Sequence, residues 1–173
     1  MNLGVIMGGM STEHYVSIVS GTSIVNNLNK KKYKIFPIYI DLKGNWYKYI
    51  KPIEEIEILQ VGEIPQELEK INNEIEYLKN MDVVFPALHG LYGEDGTIQG
   101  LLELLNVKYV GCKVLASAVS MDKVYTKIFF EKANIPQANY IYIKAFNNIY
   151  TVVDNQLNEQ ELNLDEVSSM VEK

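Results

Sequence analysis

Several residue types and patterns are scarce or missing in this sequence, and each one narrows what the protein can be. The chain has one cysteine, Cys112, which excludes an internal disulfide and a metal site built from several cysteines. It has no arginine: all 16 basic residues are lysines, so a bound anion must be held by lysine charges and backbone amides. No segment approaches the roughly 18 consecutive apolar residues of a membrane-spanning helix, so we expect no membrane partner.

Positive charge is also scarce. The 22 acidic residues outnumber the 16 lysines, which gives a net charge of −6, and the largest basic cluster is residues 30–32. Because nucleic-acid binding depends on a basic surface, we expect no nucleic-acid partner. The first residues contain neither a basic leader nor a cleavage site, and this pattern predicts a cytoplasmic protein.

What the sequence does contain is an alternation of strand-like and helix-like segments. The chain of 173 residues is 47% apolar, which is enough for one hydrophobic core, or for one domain and a fragment of a second. Apolar strand patterns at residues 3–7, 33–40 and 82–87 alternate with helical patterns at about 13–28 and 96–105. This alternation predicts an α/β fold of three layers, in which a mostly parallel sheet is flanked by helices.

The remaining segments give weaker patterns. Pro65 precedes one of the predicted helices and Pro136 ends another. In chain order, these segments predict a short antiparallel strand at 46–49, a helix at about 66–78, a strand at 106–111, a helix at 120–133, an edge strand at 137–145 and a helix at 159–171.

The richest segment for chemistry is the stretch from His89 to Gly100. It combines a histidine, two carboxylates and four glycines directly after an apolar strand and directly before an apolar helix. Such a turn brings backbone N–H groups and the positive end of a helix dipole close to any ligand. Its spacing matches neither the dinucleotide-binding loop nor the P-loop. We interpret the stretch as a ligand-facing loop, with an ordinary strand-to-helix connection as the alternative.

Four short islands of polar and glycine residues need a common explanation. They lie at residues 8–17, 89–96, 111–112 and 120–123. In a parallel α/β sheet, ligands bind at the carboxyl ends of the strands, and three of the four islands begin there. The sequence therefore predicts that the islands converge on one crevice.

In this order and at these separations, the islands resemble the N-terminal domain of D-alanine–D-alanine ligases of the ATP-grasp superfamily. Residues 8–17 match the motif Gly-Gly-x-Ser-x-Glu-x-x-Val-Ser. Residues 88–100 match Leu-His-Gly-x-x-Gly-Glu-Asp-Gly-x-x-Gln-Gly, and residues 120–123 match Ser-Met-Asp-Lys. Any one motif is weak, but the three in series are highly specific.

The resemblance covers about residues 3–140 and implies how the chain is divided. A Rossmann-like substrate-binding domain would occupy residues 1–138, and a strand and a helix at 139–173 would lead into a central ATP-grasp domain. The implied reaction has two steps. The carboxylate of one D-alanine takes the γ-phosphoryl group of ATP, and the amine of a second D-alanine then displaces phosphate, giving the dipeptide of peptidoglycan precursors.

The resemblance also implies roles for individual residues. Glu13 would hold the ammonium group of the first D-alanine through a charge-assisted hydrogen bond, with Val16 and Ser17 beside it. His89 would lie near the substrate carboxylate and the acyl phosphate made from it, where a hydrogen-bond donor stabilises negative charge. Lys123 would reach the ATP phosphates as a compact positive charge. Glu13 and His89 are therefore the predicted catalytic residues.

Other motif residues are predicted to support the loops. Glu94 and Asp95 are expected to cap the helix that follows them and to brace the loop. Plainer interpretations stay open for three side chains: Glu13 as a first-turn carboxylate, His89 as a satisfied histidine at a strand end, and Lys123 as a solvated lysine. The full set of predicted supporting residues is Gly8, Gly9, Gly93, Glu94, Asp95 and Gly96.

The chain is much shorter than such ligases, and several of their residues have no counterpart in it. These are the lysine of the central domain, the glycine- and serine-rich loop over the phosphates, and the C-terminal Asp, Glu and Asn that hold magnesium. We therefore expect no metal site in this chain, no tight binding of ATP or Mg²⁺ to it alone, and no turnover by the isolated chain. Such ligases are usually dimers, so a homodimer is expected.

Rival functions remain open. One is a stand-alone module that binds an amino acid without catalysis, and another is a dimerisation domain built on the apolar helix at 13–28. A third is a different carboxylate–amine ligase, against which Glu13 in its motif argues. Gly111, Cys112 and residues 44–47 also resemble ligases that make D-alanyl-D-serine or D-alanyl-D-lactate, so the second substrate stays open.

Overall fold

The structure is a computed structural model that describes residues 1–138, 140–154 and 158–171. Contacts divide the chain into two compact units, Met1–Met121 and Asp122–Lys173. The domain boundary predicted after residue 138 stays a prediction. Residues 139, 155–157 and 172–173 of the predicted second domain lie outside the described residues. Within the described ranges, no helix combines the length and the apolar character that a membrane crossing requires.

The first unit is built on a five-stranded sheet. β1 (Asn2–Gly8) lies between β2 (Lys34–Ile40) and β5 (Val83–Pro86) and pairs with both in parallel. β3 (Trp46–Tyr49) pairs antiparallel with β2, and β4 (Leu68–Lys70) pairs antiparallel with β3 at the sheet edge. Four of the five strands therefore run in the same direction, which confirms the predicted mostly parallel sheet.

Helices cover both faces of this sheet because consecutive strand residues point to opposite sides. Val5 of β1 packs in one buried cluster with apolar residues of α1 (His14–Asn27). Ile6, the next residue, packs in a second cluster with residues of α2 (Glu74–Lys79) and α3 (Thr97–Leu104). The three predicted layers are therefore present, and α1 begins inside the first glycine motif (residues 8–17), a few residues after its two glycines.

The structure corrects several predicted elements of the first unit. The helix predicted at 66–78 is confined to α2, because β4 pairs the earlier residues with β3 and Asn73 then caps the helix. The strand predicted at 106–111 is reduced to a single bridge to β5. A short 3-10 helix (Ile53–Glu55) and α4 (Val114–Met121) are not among the predicted elements.

The described part of the second unit contains two helices and a three-stranded antiparallel sheet. α5 (Lys123–Lys132) opens the unit, and α6 (Leu164–Val171) is its last described helix. Between them, β7 (Ile149–Val153) pairs with both β6 (Tyr142–Phe146) and β8 (Glu159–Leu162).

Three predictions for this part of the chain need correction. The helix predicted at 120–133 is interrupted at Asp122, whose extended backbone and capping side chain start a new helix. The strand predicted at 137–145 lies further along the chain, as β6. The helix predicted at 159–171 is wrong in its first part, which forms β8 because it pairs with β7, a strand that was not among the predicted elements.

Candidate active site

The first glycine motif forms a tight turn where β1 ends beside the end of β2. Gly8 has a φ of +89°, and a Cβ placed on it would lie 2.2 Å from the carbonyl oxygen of Ile40, so only glycine fits. The next residue, Gly9, donates its N–H to the same carbonyl oxygen at 2.8 Å. The turn is therefore anchored to β2 before α1 begins.

Ser17, in the second turn of α1, joins the ends of two neighbouring strands. It is fully buried, and its hydroxyl accepts the N–H of Gly8 at 2.8 Å and donates to the carbonyl oxygen of Ala87 at 2.7 Å. Both hydrogen-bonding functions of the hydroxyl are thus used inside the protein. This geometry favours a positioning role for Ser17, and its predicted place beside a substrate stays a prediction.

Ser11 joins the first motif to the loop at residues 89–96, the histidine loop. Its hydroxyl donates to the carbonyl oxygen of His89 at 2.7 Å and accepts the N–H of Glu13 at 3.1 Å. Gly90 lies so close to the Glu13 carboxylate that a Cβ on Gly90 would be 2.5 Å from Oε2 of Glu13. The two predicted catalytic residues are therefore brought to adjoining positions beyond the ends of β1 and β5. Val16 is 48% exposed, about one helical turn along α1 from Glu13.

The imidazole of His89 lies between a hydroxyl and a carboxylate. Its Nε2 is 3.0 Å from Oγ of Ser20, and its Nδ1 is 3.6 Å from Oε1 of Glu94. The His89 side chain is 35% exposed, so it can reach both its protein neighbours and a ligand. A half-exposed imidazole with two polar neighbours can donate or accept hydrogen bonds at a binding site.

The two carboxylates of the histidine loop close it on itself. Glu94 accepts the N–H of Gly90 at 2.8 Å, and Asp95 accepts two backbone N–H groups of the loop, both at 2.9 Å. Desolvation acts to raise the pKa of Asp95, but these backbone hydrogen bonds outweigh it and lower the pKa below its ordinary value. Gly93 is buried inside the loop, and Gly96 directly precedes α3.

Two cavities of the first unit share His89 as a wall. One has a volume of about 370 Å³ and a mostly apolar lining that includes residues of the first glycine motif. The other has a volume of about 390 Å³, and residues of the islands at 111–112 and 120–123 contribute to its wall. Residues of all four islands therefore border a cavity that touches His89. Polar side chains lining the second cavity include Ser20, Glu94, Gln99, Ser117 and Ser120.

Sequence reasoning missed the role of His14, which stands beside Glu13 and is only 2% exposed. Its Nδ1 is 2.6 Å from the carbonyl oxygen of Gly9, and its Nε2 is 3.2 Å from the hydroxyl of Tyr39. Because a carbonyl oxygen only accepts, Nδ1 carries the proton that joins α1 to the glycine turn. The helical spacing of His14 from the apolar Ile18 is a signal that could have placed it on the buried face.

Lys123, the third key residue of the prediction, is the first residue of α5 in the second unit. Its side chain is exposed, and the preceding Asp122 caps the helix by accepting the N–H of Val124 at 2.9 Å. The role of Lys123 toward ATP phosphates stays a prediction. In the part of the chain that the structure describes, no group of three or more His, Cys, Asp and Glu side chains could hold a metal ion.

Comparisons with known proteins agree on one family. Residues 2–112 match the family model for the D-ala D-ala ligase N-terminus. A D-alanine–D-alanine ligase of Acetivibrio thermocellus is 45% identical over 87% of this chain and 47% of its own length, so the chain spans about half of that relative. The solved structure of the D-alanine–D-alanine ligase from Coxiella burnetii has a TM-score of 0.67 and 29% identity, covering 99% of this chain and 59% of that one. The Bacillus anthracis D-alanine–D-alanine ligase complexed with ATP has a TM-score of 0.60 and 32% identity, covering 99% and 54%.

Proposed function

The chain belongs to the D-alanine–D-alanine ligase family, whose N-terminal part it matches, and we propose that the complete protein is an ATP-dependent D-alanine–D-alanine ligase. Its product would be the dipeptide of peptidoglycan precursors, made in the cytoplasm, where ATP is available. One observation carries the proposal for these residues: the Glu13 carboxylate lies against Gly90, next to His89, at the carboxyl ends of parallel strands.

In this proposal, Glu13 binds the ammonium group of the first D-alanine. It stands at the N-cap position of α1, where the exposed backbone N–H groups and the helix dipole favour a nearby carboxylate. A zwitterionic amino acid therefore finds an anion for its ammonium group and a positive potential for its carboxylate within a few ångströms. Val16, exposed on the same helix, offers an apolar contact for the methyl group.

His89 would face the carboxylate of that D-alanine, the group that takes the γ-phosphoryl from ATP. The ring is hydrogen-bonded to Ser20 on one side and faces the Glu94 carboxylate at 3.6 Å on the other, and Ser11 binds the backbone carbonyl of His89, so the side chain is oriented before a ligand arrives. Lys123 would contribute a positive charge toward ATP. The described residues contain no group of three or more His, Cys, Asp and Glu side chains that could hold a metal ion, so we propose that the Mg²⁺ of the reaction is held by other parts of the complete protein.

Titration with D-alanine tests the binding part of this proposal. We expect D-alanine to shift the NMR signals of Gly90 and of the first turn of α1, with an affinity of roughly 1 mM or weaker for a single small ligand. Glu13→Gln should weaken binding about tenfold, because a charge-assisted hydrogen bond is worth about 1.5–3 kcal/mol before solvent screening. The matched control is Glu54→Gln, at an exposed site in the 3-10 helix. Equal responses of the two variants would refute the role of Glu13.

Catalysis is tested separately, through ATP hydrolysis stimulated by D-alanine. We propose that the purified 173-residue chain shows no such turnover, because phosphoryl transfer depends on metal-borne charge that its described residues have no site to supply. Turnover above that of a Glu13→Gln control would refute this statement. The rival amino-acid-binding module would bind D-alanine as well, but the longer protein would then show no ligase activity.

Two finer points belong to the same proposal. We propose D-alanine as the second substrate, since the relative with 45% identity is a D-alanine–D-alanine ligase. D-serine or D-lactate ligation is the alternative, and product analysis with the three compounds in competition separates them. We also propose a homodimer, for which the exposed Tyr15 of α1 offers apolar surface. Light scattering of the complete protein at several concentrations tests the dimer.

A further inference from the structure

Ser20 lies on the same face of α1 as the proposed substrate-binding residues. Glu13, Val16, Ser20 and Ile24 follow one another at intervals of three or four residues, the spacing that aligns side chains along one side of a helix. Ser20 and Ile24 both line the cavity of about 390 Å³ that contains His89. Ser20 therefore lies on the helix face of the proposed ammonium site and lines the cavity that contains His89, although it stands outside the three motifs.

The surroundings of His89 determine which of its ring nitrogens carries the proton. Nδ1 faces the Glu94 carboxylate at 3.6 Å, and an ionised carboxylate can only accept, so the proton is favoured at Nδ1. In the neutral ring Nε2 is then an acceptor. The hydroxyl of Ser20, 3.0 Å from Nε2, is the donor that fits this acceptor.

We propose that Ser20 is a positioning residue for His89. Ser20 and Glu94 together hold the imidazole of His89 in the Nδ1–H tautomer, with its Nε2 edge turned toward α1. Free imidazole side chains favour the opposite tautomer, so this state depends on the two neighbours. The Ser20 hydroxyl proton also has a second potential acceptor, the carboxylate of a small ligand in the cavity. A ligand that takes this hydrogen bond releases Nε2 of His89, and Ser20 thereby links ligand binding to the state of the ring.

This link to a ligand rests on the proposed function, whereas the tautomer of His89 does not. The chain has only two histidines, so long-range ¹H–¹⁵N NMR can follow both rings in the 173-residue protein. We expect Nε2 of His89 to give the signal of an unprotonated, hydrogen-bonded nitrogen. In Ser20→Ala this signal should move toward a mixture of the two tautomers, and Ser20→Thr, which keeps the hydroxyl, should restore it.

His14 is the internal reference, because its ring is fixed by Gly9 and Tyr39 and should not respond to Ser20→Ala. Ser23→Ala, a change on the same helix, is the matched control variant. An Nε2–H tautomer in the unmodified protein, or an unchanged His89 spectrum in Ser20→Ala, would overturn the proposal. If the tautomer behaves as expected but D-alanine leaves the His89 signals unchanged, the positioning role stands and the proposed substrate site fails.

Discussion

Ser17 provides a direct test of how the candidate site is held together. Its hydroxyl links the N–H of Gly8, at the end of β1, to the carbonyl of Ala87, just beyond the end of β5. Replacing Ser17 with alanine removes this link and leaves both backbone groups without their partner at a position that is fully buried. We therefore expect the first unit to become less stable and the two loops that follow these strands to lose their mutual alignment.

The size of the effect follows from the two groups left without a partner. A buried donor or acceptor that loses its hydrogen bond costs about 1–3 kcal/mol, so the pair costs about 2–6 kcal/mol. Alanine has a better helix propensity than serine by about 0.5 kcal/mol, which offsets a small part. Since backbone relaxation also reduces such losses, we expect the free energy of unfolding to fall by about 2–4 kcal/mol.

The loss in the free energy of unfolding can be measured by urea unfolding, with the fluorescence of Trp46 as the signal. Trp46 is the only tryptophan and lies in β3, so its signal reports on the first unit. With a denaturant slope of about 2 kcal/mol/M, the midpoint should fall by about 1–2 M. Ser23→Ala makes the same change at a half-buried position of the same helix and should move the midpoint little. Equal midpoints for the two variants would refute the structural role of Ser17.

Three further predictions use the same unfolding assay. Gly8→Ala should lower the free energy of unfolding by more than about 3 kcal/mol, because the new Cβ meets a backbone carbonyl. Gly62→Ala, also at positive φ but in open space, should lower it by only about 1–2 kcal/mol. Similar losses in the two variants would contradict this reasoning. Because the pKa of Asp95 is lowered on folding, its carboxylate stabilises the protein above the ordinary pKa of about 3.9, and this stabilisation is lost as the pH falls through the folded value. The stability difference between the unmodified protein and Asp95→Asn should therefore shrink in acid, and a difference independent of pH would exclude the mechanism. His14→Asn, whose amide N–H can replace Nδ1–H, should retain more stability than His14→Gln, and the reverse order would show that Nδ1 is not the donor.

The central part of the fold is predictable from the sequence because its signals are strong and local. The apolar runs of β1, β2 and β5 are continuous, as expected for parallel strands that are covered on both faces. β7 could have been predicted, since it is rich in β-branched residues. β8 is less predictable, since it is short, polar and stabilised by pairing with β7. β4 shows the same limit: three residues without strand character become a strand because β3 offers an edge.

The candidate site divides in a similar way. Glu13 and His89 are predicted as site residues because each matches a motif of the family that the chain resembles, and the two motifs are expected to meet because parallel strands end at one edge of the sheet. Ser11, His14 and Ser20 could not be identified, because their partners lie 5 to 78 residues away and depend on how the loops fold. A serine in a helix gives no local signal of which distant atom its hydroxyl will reach.

The motif residues serve two different purposes, and this division explains why the motifs are dense. Three motif residues interact with the backbone of the protein itself. Gly8 leaves room for a carbonyl oxygen, and the side chains of Ser17 and Asp95 accept backbone N–H groups. Glu13 and His89 instead have side chains that are exposed or half-exposed beside a cavity or a glycine. A small amino acid can be recognised only if its few contacts are fixed in advance, because each contact contributes little and loose groups lose that gain to entropy. If the proposed D-alanine site is correct, we therefore expect the supporting residues to contribute to binding without touching the ligand, and their substitution should weaken D-alanine binding in proportion to the loop disorder it causes.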